Sequence, residues 1–524
     1  MLLRFFYLLA ALLASTTYAN LNHTTDTNAI TPEVKAYIDQ AWDNLTRSND
    51  KVYLANIDSK MPAKKTIIYV SRKEDINKVK NEFKHTLRKE AYNNIKILYL
   101  PRNLKNIFHH GLLYLPHPYV VPGGRFNEMY GWDSYFIELG LIQSNRLQLA
   151  KDMVENSIYE INYYGTILNA NRTYYLERSQ PPLLTQMILA YYEKTQDKQW
   201  LQSTLPAIDK LYAYWMAKPH YIPEIGLSRY YAGGEGPAPE ESLSYYIKAA
   251  NYFKLKPVTE YDKNLYYDSK QNRLTALFYK ADRTVRESGF DITAKYGPFG
   301  ASILDYASVD LNVLLYKMEA DAAMIYQILH QPKLASVWQQ RAEQRAKLIN
   351  KYMWNANLGY YFDYNIRTKS SRPYVYATTF YPLWAGIASK EQAEQIVKNL
   401  PTLLAAGGIV TSTYQKQLQW DAPFGWAPLQ YFTVMGLKKY HYNKEADDVA
   451  TRFIHSVNHA FSQTHQIFEK YDVLNLNIYT ANKIHYGYNT NEIGFGWTNG
   501  VYLSLLNILE DAKIAKATTN TFIK

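Results

Sequence analysis

The 524-residue chain contains no cysteine. That excludes disulfide stapling, thiol nucleophiles and cysteine-ligated zinc, and a chain of this length does not need disulfides to be stable. Long apolar runs are lacking too. Residues 5–14 form one, too short to span a membrane, and no later stretch resembles a span. There is no Gly-x-Ser-x-Gly elbow, no His-Glu-x-x-His helix and no phosphate loop. The 12 histidines are dispersed and suggest no metal constellation. The glycines between Gly494 and Gly500 vaguely resemble a dinucleotide loop, but their spacing is wrong and no clear strand feeds them. No metal site is therefore expected. The net charge is +11, yet the lysines are scattered and no arginine-rich run or nucleic-acid motif accompanies them. The charge reads as a solvated basic surface, with no nucleic-acid partner.

What the chain has in excess is aromatic side chains. They make up 15% of it, with 50 Tyr and 10 Trp, a composition that suits stacking on sugar rings. Hydrophobic residues at 47% are ample for a large core. The N-terminus reads as a secretory signal: Arg4 supplies the positive start, residues 5–14 the apolar core, and Thr17-Tyr18-Ala19 a small-residue cleavage site. Residues 1–19 are thus expected to be removed, and the mature protein to be secreted or periplasmic. Asn22, Asn44 and Asn171 each begin an N-glycosylation pattern, which matters only in a eukaryotic host.

The rest divides by pattern. Residues 20–110 hold two short β-like runs, 66–70 and 95–100, around a Lys/Glu-rich helical segment, and read as a small α/β arm or subdomain. From 111 onward the pattern is helical. Leu147, Ala150, Val154, Ile158 and Ile161 recur in three- and four-residue steps, as do Leu201, Leu205, Ile208, Tyr212 and Trp215, and again Ala446, Val449, Phe453, Val457 and Phe461. Loops dense in Gly, Pro, Trp, Asp and Glu separate the helices, at 178–182, 233–241, 287–300, 407–428 and 487–500. This alternation suggests helices paired around a common centre, with function carried on loops at one end. No repeat supports a solenoid. Residues 111–515 form the expected main domain, and 516–524 a C-terminal tail.

Candidate chemistry begins at Pro122-Gly-Gly-Arg125-Phe-Asn-Glu128-Met-Tyr-Gly-Trp132-Asp133-Ser-Tyr-Phe136. Pro-Gly-Gly breaks regular structure and lets backbone approach a ligand. A cation, a ring and carboxylates straight after it suit a ligand both polar and apolar-faced, such as a sugar. Glycoside hydrolysis needs two carboxyl groups, one protonated to donate to the leaving oxygen and one ionised to activate water or attack carbon. Asp291, on a glycine turn beside Phe290, and Glu469, between Phe468 and Lys470, are candidates, since an apolar neighbourhood keeps a donor protonated and a cation keeps its partner ionised.

Five ordered blocks carry a resemblance. They are residues 122–136; Gln419-Trp420-Asp421-Ala422-Pro423-Phe424-Gly425-Trp426-Ala427-Pro428; Asn171-Arg-Thr-Tyr-Tyr-Leu-Glu-Arg178-Ser179-Gln180-Pro-Pro182; Glu469-Lys-Tyr-Asp472; and Gly494-Phe-Gly-Trp-Thr-Asn-Gly-Val501. In length and order they resemble the trehalase family, which hydrolyses α,α-trehalose to two glucoses. The resemblance implies an all-α fold, an (α/α)6 toroid of paired helices with long functional loops, here with the small N-terminal α/β arm. It also implies an inverting mechanism without a cofactor, in which Asp291 is the general acid and Glu469 the general base. The two carboxyl groups are then expected roughly 6.5–9.5 Å apart. Arg125, Trp132, Asp133, Asn169, Arg178, Ser179, Gln180, Glu240, Gly289 and Glu492 match sugar-binding positions. The substrate is a small molecule, trehalose or a related α-glucoside, and a monomer is expected.

Three departures stand out. Ala238 precedes Pro239-Glu240 where the family usually carries Arg. In Ile484-His-Tyr-Gly-Tyr488-Asn-Thr-Asn-Glu492-Ile493, Tyr488 falls where a substrate-contacting Glu is expected, and Glu492 where Gln is usual. Leu45-Thr46-Arg47 lies far upstream of its normal place. These departures keep two other readings open, an enzyme of the same fold with another disaccharide preference and a catalytically silent sugar-binding protein.

Overall fold

A computed structural model describes residues 26–61, 65–480, 483–486 and 488–522, excepting the side chains of 26–28 and 515–522. The expected signal segment, 1–19, lies outside the described residues.

Helices dominate. In chain order the long ones are α1 (Asp26–Leu45), α2 (Ile76–Thr86), α3 (Asp133–Gln143), α4 (Leu147–Tyr163), α5 (Leu184–Thr195), α6 (Lys198–Met216), α7 (Leu243–Leu255), α8 (Ala276–Glu287), α9 (Val309–Ile328), α10 (Pro332–Met353), the short α11 (Tyr381–Ala385), α12 (Lys390–Lys398), α13 (Ala427–Lys439), α14 (Asn443–Thr464) and α15 (Gly496–Phe522). Among the described residues, α3, α5, α9, α11, α13 and α15 pack in that order into a closed inner ring, the last against the first. This is the (α/α)6 toroid. Helices α4, α6, α10, α14 and α1 pack on its outside, and α12 follows α11 in the chain.

Position in the ring explains the sequence pattern. An outer helix has one dry face, so its apolar residues recur every three or four positions. On α14, Ala446, Val449, Phe453, Val457 and Phe461 are buried, and on α6 so are Leu201, Ile208, Leu211 and Trp215. An inner helix is enclosed all round, so α3 buries Tyr135, Phe136, Ile137 and Leu141 together with Asp133, Ser134 and Glu138.

The ring closes through a glycine contact. A Cβ on Gly500 of α15 would lie 1.8 Å from the Phe136 carbonyl oxygen, and one on Gly140 of α3 would lie 2.6 Å from both the Gly500 Cα and the Trp42 ring. The backbones can approach so closely only because neither position has a side chain. Trp42 of α1 completes the junction, fully buried and donating Nε1–H to Ser144 Oγ at 3.0 Å.

In the N-terminal segment, β1 (Thr66–Val70) pairs in parallel with β2 (Ile95–Tyr99) on one side and β3 (Leu112–Leu113) on the other, with α2 in the β1–β2 crossover. Its other parts serve the toroid. Thr46 and Arg47 pair with Val120 and Tyr119, and Arg47 Nε donates to Asn127 Oδ1 at 2.8 Å, bracing the turn at 122–132. Among the described residues, no helix is long and apolar enough to cross a membrane.

Gly500→Ala is expected to lower stability by about 1–3 kcal/mol, the range for forcing a methyl group into a packed junction. The measurement is the thermal unfolding midpoint. An unchanged midpoint would mean that the α3–α15 crossing can loosen without cost.

Candidate active site

Each inner helix except α9 is entered directly from an outer helix or strand loop, and these entry loops share one end of the ring. Residues 122–133 lead into α3, 164–183 into α5, 407–426 into α13 and 465–495 into α15, while the long excursion 217–308, containing α7 and α8, leads into α9. Together they line a cavity of about 690 Å³ counted out into open solvent.

Asp291 lies on this wall just beyond α8. Gln419 Nε2 donates to its backbone carbonyl, Trp420 N to the next carbonyl, Ile292, at 3.4 Å, and Ala294 N donates to Asp421 Oδ2 at 2.9 Å. The Gln-Trp-Asp motif is thus the brace of the Asp291 loop. Burial pushes the Asp291 carboxyl up to about 7, against the pull of Arg286, whose Nη1 lies 3.9 Å from Oδ2, and of Arg178.

Glu469 reaches the same cavity from the edge of a two-strand ladder. β4 (Phe424–Trp426) pairs antiparallel with β5 (Lys470–Asp472), Trp426 opposite Lys470. The Glu469 backbone is fixed by Glu492 O, to which its N–H donates at 2.8 Å, and by Trp497 Nε1, which donates to its carbonyl at 3.0 Å. Its carboxylate is 2% exposed on the side chain, and receives Lys470 Nζ on Oε2 at 2.8 Å and the Tyr488 hydroxyl on Oε1. A third carboxyl, Asp133, starts α3. Burial pushes it well above its ordinary range, and the neighbouring charges of Glu469 and Asp291 add to the push.

Around these stand groups fit to hold a polyol. Arg178 is bonded through Nη2 to Glu240 and lies over the Tyr175 ring at 4.9 Å. Its buried Nε and Nη1 have no partner among the described residues, nor have Glu240 Oε2 and Gln419 Oε1. All three residues line the cavity. Buried polar atoms are normally satisfied, so such a cluster marks a place for a polar ligand. Burial by itself would raise the Glu240 carboxyl, but Arg178 and Arg286 outweigh it and hold it below the usual range. Trp132 meets Phe290, Trp420 and Trp497 at centroid distances of 5.8, 5.9 and 5.7 Å. At Gly289, φ is +77° and a Cβ would lie 3.0 Å from the Trp132 ring, so glycine lets the acid's loop pass the tryptophan.

The cavity gathers Arg125, Trp132, Asp133, Asn169, Arg178, Gln180, Glu240, Gly289, Asp291 and Glu469. Two expected ligands are absent from its wall. Ser179 is fully buried and its hydroxyl donates to the Ile167 carbonyl at 2.6 Å, while its N–H bonds Glu287. Glu492 accepts the Arg125 N–H at 2.9 Å and the Thr490 hydroxyl, and so holds the turn from behind. Glu128 is sealed in an ion cluster with Arg172 and Lys60, at 2.6 and 2.9 Å.

Other lining residues carried no sequence signal of their own. Arg286 sits five residues before Asp291 on α8 and pairs with Glu241 and Asp282. Lys60 comes from the N-terminal segment, and donates to the Arg125 carbonyl at 2.9 Å. Among the described residues, no group of three or more His, Asp or Glu is placed to hold a metal ion.

A family model described as trehalase matches residues 11–510. The chain is 38% identical over 436 residues to the cytosolic neutral trehalase of Neurospora crassa, covering 75% of this chain and 58% of that protein. It is 39% identical over 424 residues to the cytosolic neutral trehalase of Saccharomyces cerevisiae, covering 74% and 56%. The chain thus spans under three-fifths of the length of these curated relatives. Among solved structures, a neutral trehalase from Saccharomyces cerevisiae superimposes with a TM-score of 0.77 at 33% identity, over 91% of this chain and 94% of that one. These relatives correct one expectation. They are cytosolic proteins, so the signal-peptide reading of residues 1–19 and the secreted or periplasmic location drawn from it do not stand. That inference had rested on Arg4, the apolar run 5–14 and the small-residue site at Thr17-Tyr18-Ala19. The matched blocks, their order and the shared ring of helices together place the chain in the trehalase family.

Proposed function

We propose that the protein hydrolyses the α,α-1,1 bond of trehalose with inversion, giving two glucoses. The observation that carries this reading is one cavity holding two carboxyl groups in opposite environments. Asp291 is raised to about 7 by burial, while Glu469 receives a donor on each oxygen. Asp291 protonates the bridging oxygen as the bond to the anomeric carbon breaks. Glu469 takes a proton from a water that attacks that carbon from the opposite face, and one α- and one β-glucose leave.

The remaining wall supports a sugar rather than another polar ligand. Arg125, Arg178 and Asn169 offer donors to hydroxyls, and Glu240 and the Gln419 carbonyl oxygen accept from them. Asp133, whose carboxyl burial pushes up, lies beside the acid and base where it can bond a sugar hydroxyl. Trp132 and its neighbouring rings cover an apolar sugar face.

The first test is incubation with trehalose followed by anomer-resolved NMR. Equal α- and β-glucose at early times is expected. No glucose, or α-glucose alone, would overturn the reading.

Asp291→Asn and Glu469→Gln are each expected to remain folded and to lose at least about a hundredfold in kcat, the lower end for removing a general acid or base. Near-normal turnover in either would remove that residue from its role.

The pH profile gives an independent check. Asp291 must be protonated to act, so kcat/KM should fall as pH rises through about 7. A plateau extending well above that pH would assign the acid to another group.

A further inference from the structure

We propose that Tyr488 is a positioning residue for the base, its hydroxyl bonding the Glu469 carboxylate and fixing its orientation in the cavity; this rests on the trehalase reading above. The resemblance expects an acidic residue here, and a phenol reverses the sign of the local interaction, since it donates to Glu469 where a second carboxylate would repel it.

The need for such a donor follows from the surroundings. Glu469 is 2% exposed, and a buried carboxylate oxygen left without a donor is costly. On the favourable side stand Lys470 and Tyr488. Lys470 Nζ bonds Oε2 and divides its donors with the Thr490 carbonyl at 3.0 Å. Burial pulls its ammonium down from the ordinary lysine range, with Glu469 opposing that pull. Tyr488 is the donor to Oε1 among the described residues. Burial pushes its phenol well above the ordinary range, with the Glu469 charge adding to it, so the hydroxyl keeps its proton across any working pH.

Its ring meets two cations and one edge-on ring. Arg125 lies 4.9 Å and Lys470 4.5 Å from the centroid, and Phe126 packs edge-on at 5.7 Å. The loop behind it is tied to the base's own strand: Lys470 N donates to Asn491 Oδ1 at 3.2 Å, and Asn491 Nδ2 returns to the Lys470 carbonyl at 2.9 Å. Glu492, on the same loop, holds the Arg125 N–H. Tyr488 therefore couples the sugar-gripping turn to the base, which a flexible acidic side chain would do less rigidly.

The test compares wild type, Tyr488→Phe and Tyr488→Leu on trehalose, reading kcat, KM and the melting midpoint. Phe keeps the ring under Arg125 and loses only the hydroxyl. Expected are an unchanged midpoint, KM within about twofold, and kcat lower by about tenfold for one lost charge-assisted hydrogen bond. Leu removes the ring as well and is expected to raise KM besides. A Phe variant with wild-type kcat overturns the proposal, as does a loss of kcat matched by a rise in KM or one confined to the melting midpoint. Wild-type protein that releases no glucose instead overturns the trehalase reading beneath it.

Discussion

Ring closure at one glycine crossing governs the arrangement of everything else. Helix α15 is the last inner helix and α3 the first, and they meet where Gly500 faces Phe136 and Gly140, with Trp42 filling the remaining space. A closed ring of alternating inner and outer helices returns the chain to the same end before every inner helix. The entry loops therefore converge, whatever their separation in sequence. The turn at Arg125 sits at the start of α3 and Glu469 shortly before α15, so the closure that joins those helices also brings the sugar grip to the base. Helix N-termini face that end as well, and Asp133 occupies the first position of one.

The second constraint is electrostatic. Like charges sharing one cavity repel, so carboxyl groups placed there differ in state. Asp133 and Asp291 are pushed toward the protonated form by burial, Glu240 is held ionised by Arg178 and Arg286, and Glu469 accepts from two donors. Other charged residues of the first motif serve the framework. Glu128, Arg172, Lys60 and Asp58 form a sealed cluster that ties the N-terminal segment to the turn. Through Lys60 and Arg47 that segment shapes the wall of the cavity.

Legibility in the sequence followed burial geometry. Helices α4, α6 and α14 are half-wet, so their apolar residues recur with helical period and were readable. Helices α3 and α13 are enclosed on all sides and show no such period, and α11 is a short helix within a loop-rich region. The crossover unit was legible because its strands are β-branched runs flanking a charged helix. The motif blocks located the cavity, but motif membership does not give direction. Ser179 and Asp421 lie in matched blocks and turn to the framework, one to Ile167 and the other to Ala294, Tyr374 and Ser412. The N-terminal run misled for a related reason: a short apolar stretch after a cation is compatible with several fates, and the cytosolic relatives do not share the one inferred.

By itself the sequence determined the helical architecture, the family, and the candidate acid and base, because periodicity and long ordered blocks are properties of the chain alone. Only the tertiary structure decided how the turn at residues 122–136 is completed. Lys60, Arg286 and the loop carrying Tyr488 and Glu492 approach it or its cavity from three separate parts of the chain, and which side chain touches the cavity depends on its direction. That direction is set by hydrogen bonds between residues hundreds of positions apart, such as Glu492 to Arg125, which no local pattern records.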